Sequence, residues 1–541
     1  MRTLRPILTL AVCVLAATTG RAQPLPPADR PVETVIDQTV EAAIVSAGVT
    51  PASQTDDDTF IRRVTLDLVG RIPTAGEVDR YVSSTDPGKR ATLIDRLLAS
   101  PAYARHQAEQ FATMFNPDGD RRGGTLRDYF TAALKENRPW DRIFRELMLP
   151  DDADPKLKGA SDFLRIRLTD ADRLTNDVSV AFFGVNVSCA QCHDHPLVKD
   201  WTQDHFFGMK AFLARTYDGG TGPAERGFGV VRFKPNKGAE KAARMMFLTG
   251  AVVQDKTARE MTREEQKKEK EATEEAKKAK KAPPKPAFSA RAKLVEVALE
   301  KGNADFFARS IVNRMWHRFF GMGLVNPLDQ MHSENPPTHP ELLAWLARDT
   351  ATHGYDLKRL IRGLVMSQAY SRNSRYSTEA IPDSKLFAVA RLRPLTPMQL
   401  ATSLRIAVTD PAGFDNLSGV EFEKRIDQAE GSARSLASLI AQPTENFQIG
   451  VGEALLFSNS DRIVREFLAD GNGTVLAKAK AEKDPAGAIA LLVRAAYGRG
   501  PTVEESQALV AYVQKRPDRT AEAYRQVLWA LVTGPEFRFV Y

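Results

Sequence analysis

The residues best suited to chemistry fall in one short run, Val187-Ser188-Cys189-Ala190-Gln191-Cys192-His193-Asp194-His195-Pro196. Cys189, Cys192 and His193 have C-x-x-C-H spacing, the spacing of covalent c-type haem attachment. Two cysteines three apart lie on one face of a helical turn, so each can form a thioether to one haem vinyl. His193 then reaches the iron as the proximal ligand. Phe182 and Phe183 before the run, and Trp201, Phe206, Phe207 and Phe212 after it, suit a buried cofactor. His195, His205, Met209 or a side chain from later in the chain, His317 the best of these, would supply the sixth ligand.

Three other readings use the same residues. Cys189, Cys192, His193 or His195, and His205 form a donor set for a divalent metal such as zinc. Cys189 and Cys192 can instead form a disulfide, structural or redox-active. Or there is no cofactor at all, and the thiols are small buried groups in a helix that His195-Pro196 ends.

A second polar constellation gathers Asn313, Arg314, His317, Asp329, His332, Asn335 and His339. Asn313 and His317 share a helix face at i,i+4, and Gly321-Met322-Gly323 permits a tight turn after that helix. Such a group can hold a polar ligand, a sugar or an acidic group bound by Arg314. It can equally be a hydrogen-bond network joining helix and loop.

The elements around these residues are mainly helical. Residues 1–22 read as a secretory signal: Arg2 and Arg5, then the apolar run Ile7 to Ala17, then small residues for cleavage. The run is too short to span a bilayer. We therefore expect an exported protein, periplasmic or extracellular, with no stable membrane insertion after cleavage. Residues 23–216 follow as a helical domain carrying C-x-x-C-H. In 217–254, glycines punctuate short alternating runs, which predicts a small β element. Residues 255–289 form a charged helical spacer, and 290–541 a helical C-terminal domain. The fold class is mainly α, two helical domains with a small β insertion and a charged linker between them.

Three hairpins share a frame. Thr74–Glu77, Thr338–Glu341 and Thr502–Glu505 each predict a T-x-x-E capping box. The second helix of each unit ends at Ser100-Pro101-Ala102-Tyr103, Ser367-Gln368-Ala369-Tyr370 or Gly534-Pro535-Glu536-Phe537.

Charge removes the nucleic-acid class. The 541 residues carry a formal +7. Signal cleavage takes away three arginines, leaving +4, and the segment Asp255–Pro286 holds eleven Lys/Arg against eight Asp/Glu, a net +3. The spacer's signs are interspersed, as in Glu264-Glu265 followed by Lys267-Lys268 on a solvated helix, and the body is left near +1. Three cysteines, of which Cys13 lies in the signal, exclude a disulfide-dense scaffold. The sequence contains no P-loop, nucleophile elbow, HExxH or dinucleotide fingerprint.

The run Cys189 to Pro196 followed by Trp201-Thr202-Gln203-Asp204 resembles planctomycete-type secreted proteins of unknown function. These join a cytochrome-like N-terminal domain to a C-terminal domain of unknown function. Arg62-Arg63-Val64-Thr65-Leu66-Asp67-Leu68-Val69-Gly70-Arg71-Ile72-Pro73-Thr74 carries the resemblance in the first half. Asn313-Arg314-Met315-Trp316-His317, Asn335 to Leu343, Asp356-Leu357-Lys358 and Arg393-Pro394-Leu395-Thr396 carry it in the second. The resemblance implies the two-domain layout and settles no activity. Two functions are therefore expected. One is an exported redox protein with a haem c or metal at C-x-x-C-H, acting with a redox partner or co-secreted protein. The other is a non-enzymatic scaffold or carbohydrate-binding protein stapled there by a disulfide or metal.

Overall fold

The computed structural model describes residues 25–116, 125–195, 198–377, 380–443 and 450–541, with Asn459 described by its backbone only. The signal-type segment, Cys13 and Pro196 lie outside them. The architecture is mainly α, with 58% helix and 25 helices among the described residues. Sheet occurs among the described residues only as two-stranded antiparallel pairs. Three of these pairs fall in the segment expected to hold a β element: Thr216–Asp218 with Pro223–Glu225, Arg232–Phe233 with Lys241–Ala242, and Met245–Met246 with Val252–Val253. The fourth joins Arg393–Pro394 to Phe539–Val540. The charged spacer contains the helix Arg263–Ala279, which buries none of its residues and starts at a Thr262–Glu265 capping box.

The helix Asp57–Val69 organises the rest. Asp56 caps it, accepting from the Thr59 amide at 2.8 Å. Asp57 and Asp58 suit the positive end of its dipole. It stops at Gly70, whose φ is 72°. A Cβ there would also stand 2.3 Å from His106 Nδ1, so glycine is required on both counts. Every residue from Phe60 to Val69 is buried. A helix buried all round cannot leave polar side chains unpaired, and Arg62, Arg63 and Asp67 find partners more than 300 positions later in the chain. Arg62 donates to the carbonyls of Ala496, Glu536 and Phe537 at 3.2–3.3 Å. Arg63 donates to those of Tyr370, Arg372 and Tyr541. Asp67 accepts two bonds from the Arg393 fork, at 2.8 and 2.7 Å, and one from the Tyr370 hydroxyl at 2.7 Å.

Apolar packing follows the same route. Trp140 and Phe144 of the first half lie against Phe307, with ring centroids 6.3 and 5.0 Å apart. The Ala171–Phe183 helix packs on Ala304–Phe320, and the Val32–Ser46 helix on Leu357–Met366. One contiguous core therefore runs from Val32 to Val540.

Two of the three expected capping boxes form, at Thr74–Glu77 and Thr502–Glu505. The third does not. That helix begins at Pro340 with His339 as its cap residue and no side-chain cap bond. The Thr338 amide is instead held by the Leu324 carbonyl at 2.8 Å, and its hydroxyl lies 3.1 Å from His339 Nδ1. The unit endings do agree. Ser100 and Ser367 share extended backbone angles, and each accepts from the amide three residues on, Tyr103 or Tyr370, at 3.2 Å. Gly534 has the same backbone angles within a few degrees.

Removing one member of a buried ion pair strands the other. Asp67→Asn is therefore expected to cost roughly 3 kcal/mol in urea unfolding, and Tyr370→Phe about 1 kcal/mol. An Asp67→Asn loss no larger than that of Tyr370→Phe would show that the pair is not what holds this helix.

Candidate functional site

The Ala171–Phe183 helix is capped by Asp170 and ends at Gly184, with φ 67°. From there the chain is clamped against residues 329–331. The Asn186 amide donates to the Asp329 carbonyl at 2.8 Å, and the Met331 amide to the Gly184 carbonyl at 3.1 Å. Asn186 Nδ2 reaches Asp329 Oδ2 at 3.1 Å. Asn176 Oδ1 accepts from the Val187 amide at 3.1 Å. The chain then makes a 3-10 turn, Ser188–Gln191, with Ala190 buried beneath it. Cys189 lies within the turn and Cys192 is the residue that closes it. Both are free thiols and both are exposed.

The far side of the turn is fixed as well. Asp194 Oδ1 accepts the Gln203 amide at 2.9 Å, which caps the Gln203–Leu213 helix. Gln203 Nε2 reaches back to the Gln191 carbonyl at 3.3 Å. His193 is exposed, with Nδ1 2.8 Å from the Asp194 carbonyl oxygen. A carbonyl can only accept, so Nδ1 is the donor, and in the neutral ring Nε2 then carries the lone pair.

The other expected ligands are already engaged. His195 Nδ1 accepts from the Val198 amide at 3.1 Å. His205 Nδ1 accepts from the Thr202 amide at 3.2 Å, and burial holds its pKa low. Met209 is fully buried. Among the described residues, no three of His, Cys, Asp and Glu gather where they could hold a metal ion. The flanking aromatics pack on one another. Phe182 meets Phe115, Phe144 and Phe163 at 5.2, 4.6 and 5.5 Å, and Trp201 lies 5.9 Å from Phe306.

The second constellation divides by role. Asn313 closes both ends of its amide on Val325, Nδ2 to the carbonyl at 2.8 Å and Oδ1 from the amide at 2.9 Å. This clamps the turn after the helix, and Gly323 fits because a Cβ there would meet the Val325 carbonyl oxygen at 2.3 Å. Asn335 donates to the Gln330 carbonyl at 3.0 Å and closes the loop that carries Asp329. His332 Nε2 lies 3.2 Å from Gln330 Oε1. His339 is buried against Phe387. The same loop backs the cysteine turn: Asp200 binds the Ser333 amide and hydroxyl, both at 2.8 Å. The clamps Asn176, Asn186, Asp200 and Ser333 carry no periodic or motif signal in the sequence.

Arg314, His317 and Arg318 share one half-buried face of the Ala304–Phe320 helix. Arg314 donates to the Val180 carbonyl, and Arg318 to Gln107 Oε1 at 2.7 Å. Burial, then Arg393, Arg318, Arg314 and Arg391, pull the His317 pKa down to about 4. Burial and Arg318 pull that of His106 to about 3, against an opposing hydrogen bond to the Asp67 backbone. The unfolded chain takes up both protons near pH 6.5, and the fold resists them until far lower. Their stabilising share is therefore present above about pH 6.5 and is lost as pH falls towards 4. His317→Gln is expected to flatten unfolding free energy against pH over 6 to 4.5 by up to one proton, about 1.4 kcal/mol per pH unit. An unchanged slope would mean that His317 titrates normally.

No curated protein and no solved structure matches the chain, and no helix among the described residues is long and apolar enough to cross a membrane. Residues 35–218, which hold the cysteine turn, match the family model described as PSCyt2, a protein of unknown function (DUF1549). Residues 290–443, which hold the loop clamped behind it, match the model described as PSD1, a protein of unknown function (DUF1553), so two domains of unknown function stand in this order along the chain.

Proposed function

We propose that this is an exported redox protein whose Cys189-Ala190-Gln191-Cys192-His193 turn holds a c-type haem. The observation that carries the reading is the state of His193. Its Nδ1 lies 2.8 Å from the Asp194 carbonyl, which can only accept, so in the neutral ring Nε2 is the nitrogen with the lone pair a metal ligand requires. The exposed thiols of Cys189 and Cys192, three residues apart, suit thioether attachment. When bound, the haem would supply one-electron transfer. The chain's own part is to present two thiols and one imidazole on a turn anchored at both ends. His195 and His205 accept backbone amides at Nδ1, so their neutral rings carry the proton on Nε2, and a distal role for either would need its Nδ1 bond to be given up. The signal-type segment 1–22 supports export to a compartment where such attachment occurs.

A second reading rests on the same exposure. Two free thiols three residues apart can be oxidised to a Cys189–Cys192 disulfide by exchange with a partner's disulfide, which is thereby reduced to two thiols, and the reverse exchange reopens it, with no metal involved.

Co-expression with a haem-attachment system separates the two. The first reading expects a mass increment that survives denaturation, a Soret band, and loss of both in Cys189→Ala and Cys192→Ala. A colourless protein of unmodified mass overturns it. If that protein then shows two thiols after reduction and none after mild oxidation, the disulfide reading stands.

A further inference from the structure

The basic face of the Ala304–Phe320 helix contains more positive charge than its surroundings neutralise. Arg314 and Arg318 stand one turn apart on it, with neutral His317 between them. Two more arginines close over the C-terminal end of the helix. Arg393 Nη1 donates to the Arg318 carbonyl at 2.7 Å, and Arg391 reaches Met322 Sδ at 3.5 Å. A Cβ on Gly321 would meet side-chain atoms of both, at 3.1–3.3 Å.

Against these four guanidiniums stand two carboxylates. Asp67 is taken by the Arg393 fork and Tyr370. Asp329 attracts Arg314 from a distance while its Oδ2 serves Asn186. Among the described residues, Arg314, Arg318 and Arg391 have no carboxylate within the 4.0 Å of an ion pair. Two donors are also left over. Arg314 Nε and the Tyr103 hydroxyl beside Arg318 are both shut off from solvent and without a hydrogen-bond partner. Burial holds Arg314 and Arg318 down to about 10. The face is not sealed: Arg314, His317 and Arg318 are half-buried and Arg391 is exposed.

Unpaired guanidiniums out of water are costly unless an anion completes them. We propose that this face is a binding site for a small oxyanion, with Arg314 and Arg318 as its inner grips and Arg391 at its rim. The planar fork of arginine matches phosphate, sulfate and carboxylate oxygens in pairs. The ligand class is therefore a phosphate-, sulfate- or carboxylate-bearing small molecule. The site is independent of what the cysteine turn holds.

The test uses the full chain with inorganic phosphate, sodium sulfate and citrate, each titrated at constant ionic strength against sodium chloride, with thermal melting and calorimetry as readouts. At least one of the three is expected to bind saturably and raise the melting temperature. Losing one charge-assisted contact should weaken that binding about tenfold or more, in Arg314→Gln and in Arg318→Gln. Arg391→Gln, whose parent side chain is exposed and bonds only Met322, keeps the test open should the buried variants fail to fold, and it should weaken binding by a smaller factor. Arg405→Gln, which breaks a remote pair with Glu466, should bind as the parent does. The preferred anion tells phosphate, sulfate and carboxylate sources apart. Absence of saturable binding by all three, or equal weakening in Arg405→Gln, overturns the proposal.

Discussion

A single carboxylate taken out of water, that of Asp67, constrains the molecule more than any other group. It stands on a helix buried on every side, so it must be matched within the protein. Its partners, Arg393 and Tyr370, come from more than 300 positions later in the chain. The consequences pass along bonds. Arg393 also holds the Arg318 carbonyl and so fixes the end of the Ala304–Phe320 helix. Arg314 of that helix holds the Val180 carbonyl of the helix leading into the cysteine turn. The position of Cys189 thus follows, through three arginine contacts, from the matching of one aspartate. Asp67 and Arg393 lie within the two stretches that carry the family resemblance, and the structure assigns both a structural duty.

Local features were legible in the sequence, and long-range ones were not. The helical class, the β element after Thr216 and the boxes at Thr74 and Thr502 depend on residues within a few positions of one another. The box at Thr338 had the same letters. It fails because Leu324, fourteen residues earlier, claims the Thr338 amide, and Pro340 starts the helix one residue late. Nothing local in Arg62-Arg63-Val64-Thr65-Leu66-Asp67 announces that a stretch with three charges would be wholly buried, because its partners lie far along the chain.

The candidate site divides along the same line. Spacing located the cysteine turn and predicted that its two thiols share a side. The turn is 3-10 over Ser188–Gln191 rather than α-helical, and Cys192 is its closing residue. The second constellation was harder to read, because short polar side chains serve ligands and backbone groups alike. Asn313, Asp329 and Asn335 spend their hydrogen bonds on carbonyls, amides and Asn186. The flanking aromatics likewise serve the core.

The contrast between the cysteine turn and its supports bears on what the turn is for. Thiols kept for packing belong among apolar neighbours, and unpartnered cysteines are among the most buried side chains. Here Ala190 takes the buried position of the turn, and Cys189, Cys192 and His193 face outward. Around them, Asn176, Asn186, Asp194 and Gln203 fix the backbone on both sides, and Asp329 holds Asn186 from the other half of the chain. Loops that serve only as connections are free to move and carry few such bonds. A rigid frame holding three reactive groups towards solvent is the arrangement expected when geometry at those groups matters to a cofactor or partner.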